Sequence, residues 1–427
     1  MVSAVDDHGA SRLSLLLGGM AAFVVYFGMY AFRKPFAAAT YVDVAGWHGA
    51  MDYKTALLIA QVIGYAVSKL IGVRVIAESG HQARARLILT LIAASWIALV
   101  LFALIPAPWN VACLFLNGLP LGLIWGLVFS YIEGRRTSEL LGAMLCASFV
   151  LSSGVVKSAA TMLMAAGVSE WWMPAVTGLV FAPLLLIALW QLERLPPPDS
   201  RDRAERVERV PMSAAKRAAF WRAHGGSMAM LVLAYTLLTA IREVRDNFSA
   251  EIWSSLGRGG QASLFTLSEL PVAVVTLGVL AALMLVRDNR RALLVMHGLI
   301  AVGAATLGVA TLAFQAGLMS PLVWMSLTGA GLYLAYTPFN AMLFDRMIAA
   351  IGTAANAGFL IYIADSSGYA GSVAMLLVRS VAAPHVEWLG FFERCSYATA
   401  LVVVVLTGLS ALRFLYAPLE GRRHATL

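Results

Sequence analysis

Tyr26-Phe-Gly-Met-Tyr-Ala-Phe-Arg-Lys-Pro-Phe36 closes the first long apolar segment of the chain and sets two adjacent cations, Arg33 and Lys34, where hydrocarbon would be expected. A charged side chain near the centre of a bilayer costs at least ~2.5–3.5 kcal/mol on insertion scales, so a chain that keeps two side by side has a use for them. Around this stretch the composition is that of a membrane protein. Of 427 residues, 60% are hydrophobic and 13% charged, and the mean hydropathy is +0.79. Soluble domains are about 45–50% apolar and about 25% charged, so no soluble class fits. The formal charge of +8 falls in short loops, which argues for membrane orientation and not for nucleic acid. Cys113, Cys146 and Cys395 lie in apolar stretches and suit neither a disulfide framework nor a metal site. The N-terminal apolar stretch is too long for a signal-peptide core, so segment one is expected to be a retained membrane helix.

A helix crossing ~30 Å of hydrocarbon needs ~20 residues. Twelve segments meet this: 13–36, 54–77, 86–105, 110–133, 140–167, 174–195, 226–248, 263–286, 292–314, 321–346, 354–382 and 390–416. Backbone groups in lipid must be satisfied within the segment, so each is expected to be helical and the fold all-α. If the segments alternate, Arg12, Arg74/Arg84/Arg86, Arg135/Arg136, Arg287/Arg290/Arg291, Arg346 and Arg422/Arg423 share one side. The opposite connections 106–109 and 315–320 hold no Lys or Arg, which puts both termini in the cytoplasm of a multi-pass inner-membrane protein. A polar stretch from Pro196 to Arg222 opens with three prolines and carries mixed charge. It reads as a solvated linker with a basic turn on lipid headgroups, dividing the chain into a six-helix bundle at 1–195, a linker at 196–225 and a second six-helix bundle at 226–427.

The halves echo each other. Tyr26 precedes Arg33 by seven residues, and Tyr235 precedes Arg242 by seven. Seven residues are close to two helical turns, which would place each tyrosine on its arginine's face. Ser152-Ser153-Gly154 with Ser158 matches Ser366-Ser367-Gly368 with Ser372. Repeated, pseudo-symmetric halves with a site at their interface mark secondary transporters.

On these residues the chain resembles the major facilitator superfamily, and within it the organophosphate:phosphate antiporters. Tyr30-Ala-Phe-Arg-Lys-Pro-Phe36 is similar to that family's Tyr-x-x-Arg-Lys-x-Phe, and Gly64-Tyr-Ala-Val-Ser-Lys69 to its Tyr-Gly-x-Ser-Lys stretch. Leu238-Thr-Ala-Ile-Arg242 resembles the segment with its second arginine, and Gly352-Thr-Ala-Ala-Asn-Ala-Gly-Phe359 its Gly-Thr-Ala-Ala-Gly-Phe run. The resemblance implies phosphate binding by Arg33 and Arg242, with Lys69 matching a family lysine. The family's segment-five histidine has no counterpart near Ser148, and the loop motif after segment two is degraded to Gly72 through Glu78-Ser79. The segment-one pattern is also similar to an uncharacterised branch of facilitator-like proteins.

The expected site follows from the charges. Arg33, Lys34, Lys69 and Lys157 stand in the first half with no carboxylate at the same depth, so a bound anion is expected to compensate them. Arg33 is the first candidate, because a guanidinium grips phosphate or carboxylate with two hydrogen bonds. Lys34 points about 100° away on a helix. Arg33, Arg242, Lys69, Lys157, Tyr26 and Tyr235 are the candidate substrate contacts. Asp365, Glu269, Asp246, Glu243 and Lys34 are the candidates for coupling or gating; Asp246 lies four residues from Arg242 and is expected to pair with it. Gly126, Gly142, Gly154 and Gly358 are expected at close helix contacts.

The sequence thus predicts a secondary transporter of a small organic anion, a phosphorylated metabolite, working by alternating access as a monomer. Phosphate exchange or proton coupling would drive it. No cofactor is expected, and no nucleotide-phosphate loop, metal motif or nucleophile elbow points to an enzyme. A ligand sensor without transport and a proton-coupled exporter of amphipathic compounds are the alternatives.

Overall fold

The computed structural model describes residues 3–78, 84–132, 138–195, 214–351 and 357–416, and the described residues are helical with connecting turns. The helices are α1 (Ser3–Tyr30), α2 (Tyr53–Glu78), α3 (Arg84–Leu104), α4 (Val111–Ile132), α5 (Ser138–Ala165), α6 (Met173–Glu193) and α7 (Ala214–Asn247). They continue with α8 (Ser249–Ser255), α9 (Ser263–Met284), α10 (Asn289–Gln315), α11 (Pro321–Ala341), α12 (Leu343–Ile351), α13 (Ala357–Ala382) and α14 (Trp388–Tyr416). Nine of these, α3 to α7, α9, α10, α13 and α14, are long and apolar enough by themselves to cross a membrane among the described residues. With α1, α2 and α11 they occupy the twelve expected segments. Residues 196–213 of the expected linker, the Arg135/Arg136 pair and Arg422/Arg423 lie outside the described residues.

Helix ends follow local chemistry. Asp288 caps α10, its carboxylate accepting from the Arg291 amide at 2.7 Å. Ser320 caps α11 the same way through Val323, with Pro321 in the first turn, where a missing N–H costs nothing. Segment one departs from expectation: α1 stops at Tyr30 and not at Phe36. Pro35 has no N–H for the carbonyl four residues back, so the chain tightens ahead of it. Amides 31, 32 and 33 bond three residues back, and Pro35–Ala38 forms a short 3₁₀ turn. Arg33 therefore does not stand two α-turns above Tyr26, whereas Arg242 does stand so above Tyr235 on the unbroken α7. Segment ten also divides, at Met342 just after Pro338, into α11 and α12.

The chain forms two compact units. The first comprises Met1–Arg206, Asp246–Leu270 and Val378–His385. The second comprises Val207–Arg245, Pro271–Leu377 and Val386–Leu427. In the first, α2 packs along α4, and α1 against α4, α5 and α6. The α2–α4 crossing is backbone on backbone: a Cβ on Gly118 would stand 2.2 Å from the Gln61 carbonyl oxygen, and one on Gly64 2.2 Å from that of Phe115. Small residues permit this approach, and packing then gains dispersion at a distance no larger side chain allows. Gly154 likewise meets Phe265 and Glu269 of α9, as expected of it. In the second unit α10 packs on α11 and α14, and Gly303 and Gly331 meet face to face.

Candidate functional site

The early end of α1 leaves carbonyls without helical partners, and buried amides take them up. Asn117 Nδ2 donates to the Phe32 carbonyl at 3.0 Å, and Gln61 Nε2 to the Arg33 carbonyl at 2.9 Å. Gln61 also donates to the Asn117 side-chain oxygen at 2.7 Å, and Asn117 reaches the Ser95 hydroxyl at 2.7 Å. Helices α2, α3 and α4 thus fix the backbone that carries Arg33. An unpaired amide in an apolar interior costs about 1–3 kcal/mol, so this network is self-enforcing. Sequence reasoning passed over Gln61 and Asn117; two amides inside apolar spans were the available signal.

Arg33 is 5% exposed and lies over the Tyr65 ring of α2 at 4.1 Å. Tyr30 is 5.7 Å from the same guanidinium, and Tyr26 meets Tyr30 edge-on at 5.6 Å. Lys69 stands 5.7 Å from the Tyr65 ring as well. Two cations thus share one aromatic platform.

In the second unit Arg242 lies over the Tyr336 ring of α11 at 4.4 Å, with Tyr333 at 6.0 Å. Its Nη2 is 2.7 Å from Oε1 of the neighbouring Glu243; Asp246, expected to pair with it, belongs to the first unit. Tyr235 stacks on Tyr336 at 5.1 Å, and its hydroxyl donates to Asp365 Oδ1 at 2.5 Å, with Asn340 within 3.4 Å. Tyr333 and Tyr336 escaped the sequence reading because α11 offers no charge beside them. Arg245 turns away to donate to the Met325 carbonyl at 2.7 Å, against Gly329.

The remaining lysines contradict the expectation that the chain supplies them no anion. Asp246 lies within the first unit, with Lys34 Nζ 2.6 Å from Oδ2 and Lys157 Nζ 2.8 Å from Oδ1. Lys34 also donates to Asn247 Oδ1, and Ser153 to Asp246. Lys157 completes its three donors on the Asp246 carbonyl at 2.7 Å and Ser249 Oγ at 3.0 Å. Beside them Lys54 holds both carboxylate oxygens of Glu251 at 2.7 and 2.8 Å. The compensating carboxylates sit more than 200 residues along the chain from Lys34, so depth along one half of the sequence could not reveal them. Glu269 is 5% exposed and packs at Gly154. Among the described residues no group of His, Cys, Asp and Glu is arranged to hold a metal.

The fold is shared with solved membrane transporters. The xylose transporter XylE from E. coli is 14% identical, with 96% of this chain and 98% of that one covered and a TM-score of 0.59. The nucleoside transporter NupG is 14% identical, with 95% and 100% covered and a TM-score of 0.61. The human organic anion transporter MFSD10 is 13% identical, with 94% and 99% covered and a TM-score of 0.56. These likenesses establish a twelve-helix facilitator fold. No curated protein matches the chain. Residues 35–416 match a family described as "Family of unknown function (DUF5690)", and the chain belongs to that family.

Proposed function

We propose that this protein is a secondary transporter of a small organic anion, working by alternating access in the inner membrane with both termini cytoplasmic. The observation that carries the reading is the cationic platform at Tyr65. Arg33 and Lys69 flank one ring at 4.1 and 5.7 Å, and Arg33 is 5% exposed. A buried guanidinium on an aromatic face, with a lysine beside the same ring, makes a cationic surface suited to an anion. The guanidinium supplies the paired donors that a phosphate or carboxylate accepts, while Tyr65 and Tyr30 hold its plane. Arg242 on Tyr336 offers a second guanidinium on an aromatic face. The transporter reading is supported by the shared fold, whose solved relatives are named as carriers of xylose, nucleosides and organic anions. A phosphorylated metabolite exchanged for inorganic phosphate, or carried with protons, fits the charge of this site.

The test is uptake into proteoliposomes preloaded with inorganic phosphate, against a panel of organic phosphates, dicarboxylates and neutral sugars. Saturable anion exchange is expected, lost in Arg33→Ala. Tyr65→Phe keeps the platform, whereas Tyr65→Leu removes a cation–π contact of about 0.5–2 kcal/mol, raising KM between ~2-fold and ~30-fold. Uptake confined to neutral or cationic solutes, or normal exchange in Arg33→Ala, would overturn the reading.

A further inference from the structure

The direction in which Arg33 leaves the backbone is set by side chains of other helices. Residues 31–33 wind more tightly than an α-helix, each amide bonding three residues back. Three residues at about 3.0 per turn in place of 3.6 carry the chain about 60° further round and about 1.5 Å further along. An unbroken α1 would start the Arg33 side chain from a different point; from this one its guanidinium lies on the Tyr65 ring at 4.1 Å. Three carbonyls of the stretch are taken up by side chains of the same unit. Asn117 of α4 donates to that of Phe32 at 3.0 Å, Gln61 of α2 to that of Arg33 at 2.9 Å, and Lys54 of α2 to that of Ala37 at 2.8 Å. The Phe32 ring is seated on Gly178 of α6, where a Cβ would stand 2.8 Å from it. A continuous helix would give the carbonyls of Phe32 and Arg33 to the amides of residues 36 and 37. Asn117 and Gln61, both buried, would then lose these acceptors in an interior without water, so the two amides favour the tight turn over the helix.

We propose that Asn117 and Gln61 are positioning residues of the anion site. By holding residues 31–34 out of the α-helix they set where the Arg33 guanidinium presents its paired donors. Those donors meet an oxyanion in one plane, so a turn of the backbone beneath them weakens binding without touching the anion itself. This inference rests on the anion-transport reading above and names the residues that orient its principal cation.

The experiment measures exchange of inorganic phosphate by the full-length protein in proteoliposomes, with melting temperatures taken on the same preparations. Asn117→Leu keeps the approximate volume of the side chain and removes its donors. A misplacement of about 1 Å at a reacting or binding group can cost on the order of 100-fold, so the KM for phosphate is expected to rise about tenfold or more. The kcat is expected to stay within about twofold, because the group that binds is retained. Asn110→Leu is the control for a merely structural loss. Asn110 is a buried amide of the same unit that accepts from the Tyr53 hydroxyl at 2.6 Å. Its variant should melt lower and keep the wild-type KM. Where Asn117→Leu does not fold, Gln61→Met, which removes the donor to the Arg33 carbonyl, should show the same rise in KM. A wild-type KM in a folded Asn117→Leu or Gln61→Met variant overturns the inference, as does an equal rise in Asn110→Leu. Wild-type exchange with no change in these variants removes only the positioning role. Exchange of no anion by the wild type removes the transport reading, and this inference with it.

Discussion

Removing either partner of the Asp246 cluster should have unequal consequences. Lys34, Lys157 and Asp246 side chains are 3, 2 and 12% exposed, so their charges are poorly screened by water. Asp246 is the carboxylate that both lysines pair with. Asp246→Asn takes it from both, and stripping one partner from a buried ion pair costs about 3–5 kcal/mol. Lys157→Met leaves Asp246 with Lys34 and puts a methionine where the lysine stem packed. The Asp246 carbonyl that Lys157 also bonded still accepts from Ser249 Oγ at 2.9 Å, so about 1 kcal/mol is lost. The difference is about 2–4 kcal/mol; at roughly 2 °C or less per kcal/mol for a chain of this size, the two melting temperatures separate by on the order of 5 °C. Scanning fluorimetry of the purified variants in one detergent reads this directly. Equal losses, or a larger loss in Lys157→Met, would show that packing and not charge balance governs the cluster.

Gly118→Ala should cost about 1–3 kcal/mol by overpacking the α2–α4 crossing. Its new methyl would lie 2.2 Å from the Gln61 carbonyl oxygen, and Gln61 also holds the Arg33 backbone, so a lower melting temperature and weaker anion exchange are expected together; wild-type values of both would contradict that contact. In the connection between α5 and α6, burial raises the Glu170 carboxyl above its usual range, opposed by a backbone hydrogen bond from Tyr41. A raised carboxyl binds its proton more tightly folded than unfolded, so this residue's contribution is most favourable at acid pH and is lost as pH rises through the folded value. The melting temperature of the wild type relative to Glu170→Gln should therefore increase on acidification. A constant difference across that range would show that Glu170 titrates as in the unfolded chain.

How much of this was legible depended on the range of the interaction. Spans such as 263–286 and 321–346 could be read because hydrocarbon forces each segment to satisfy its own backbone; their starts at Ser263 and Pro321 are where they were expected. The capping of α10 by Asp288 is equally local. The end of α1 was half legible: Pro35 was in view, yet the apolar run continued past it and hid the tightened turn. The lysine partners of Asp246 stayed hidden because an i, i+4 rule weighs only neighbours on one helix.

Sequence alone determined the class of this protein: an all-α membrane fold with twelve segments. Hydropathy and repeat spacing are properties of neighbouring residues and survive without a fold. Only the tertiary structure decided what the charges touch. It gave Arg33 to Tyr65, Arg242 to Tyr336, and Lys34 and Lys157 to Asp246. It also set Gln61 and Asn117 beneath the Arg33 backbone. Burial multiplies the strength of such contacts by removing water, but which distant groups are buried together depends on how helices pack, and no stretch of the chain carries that information by itself.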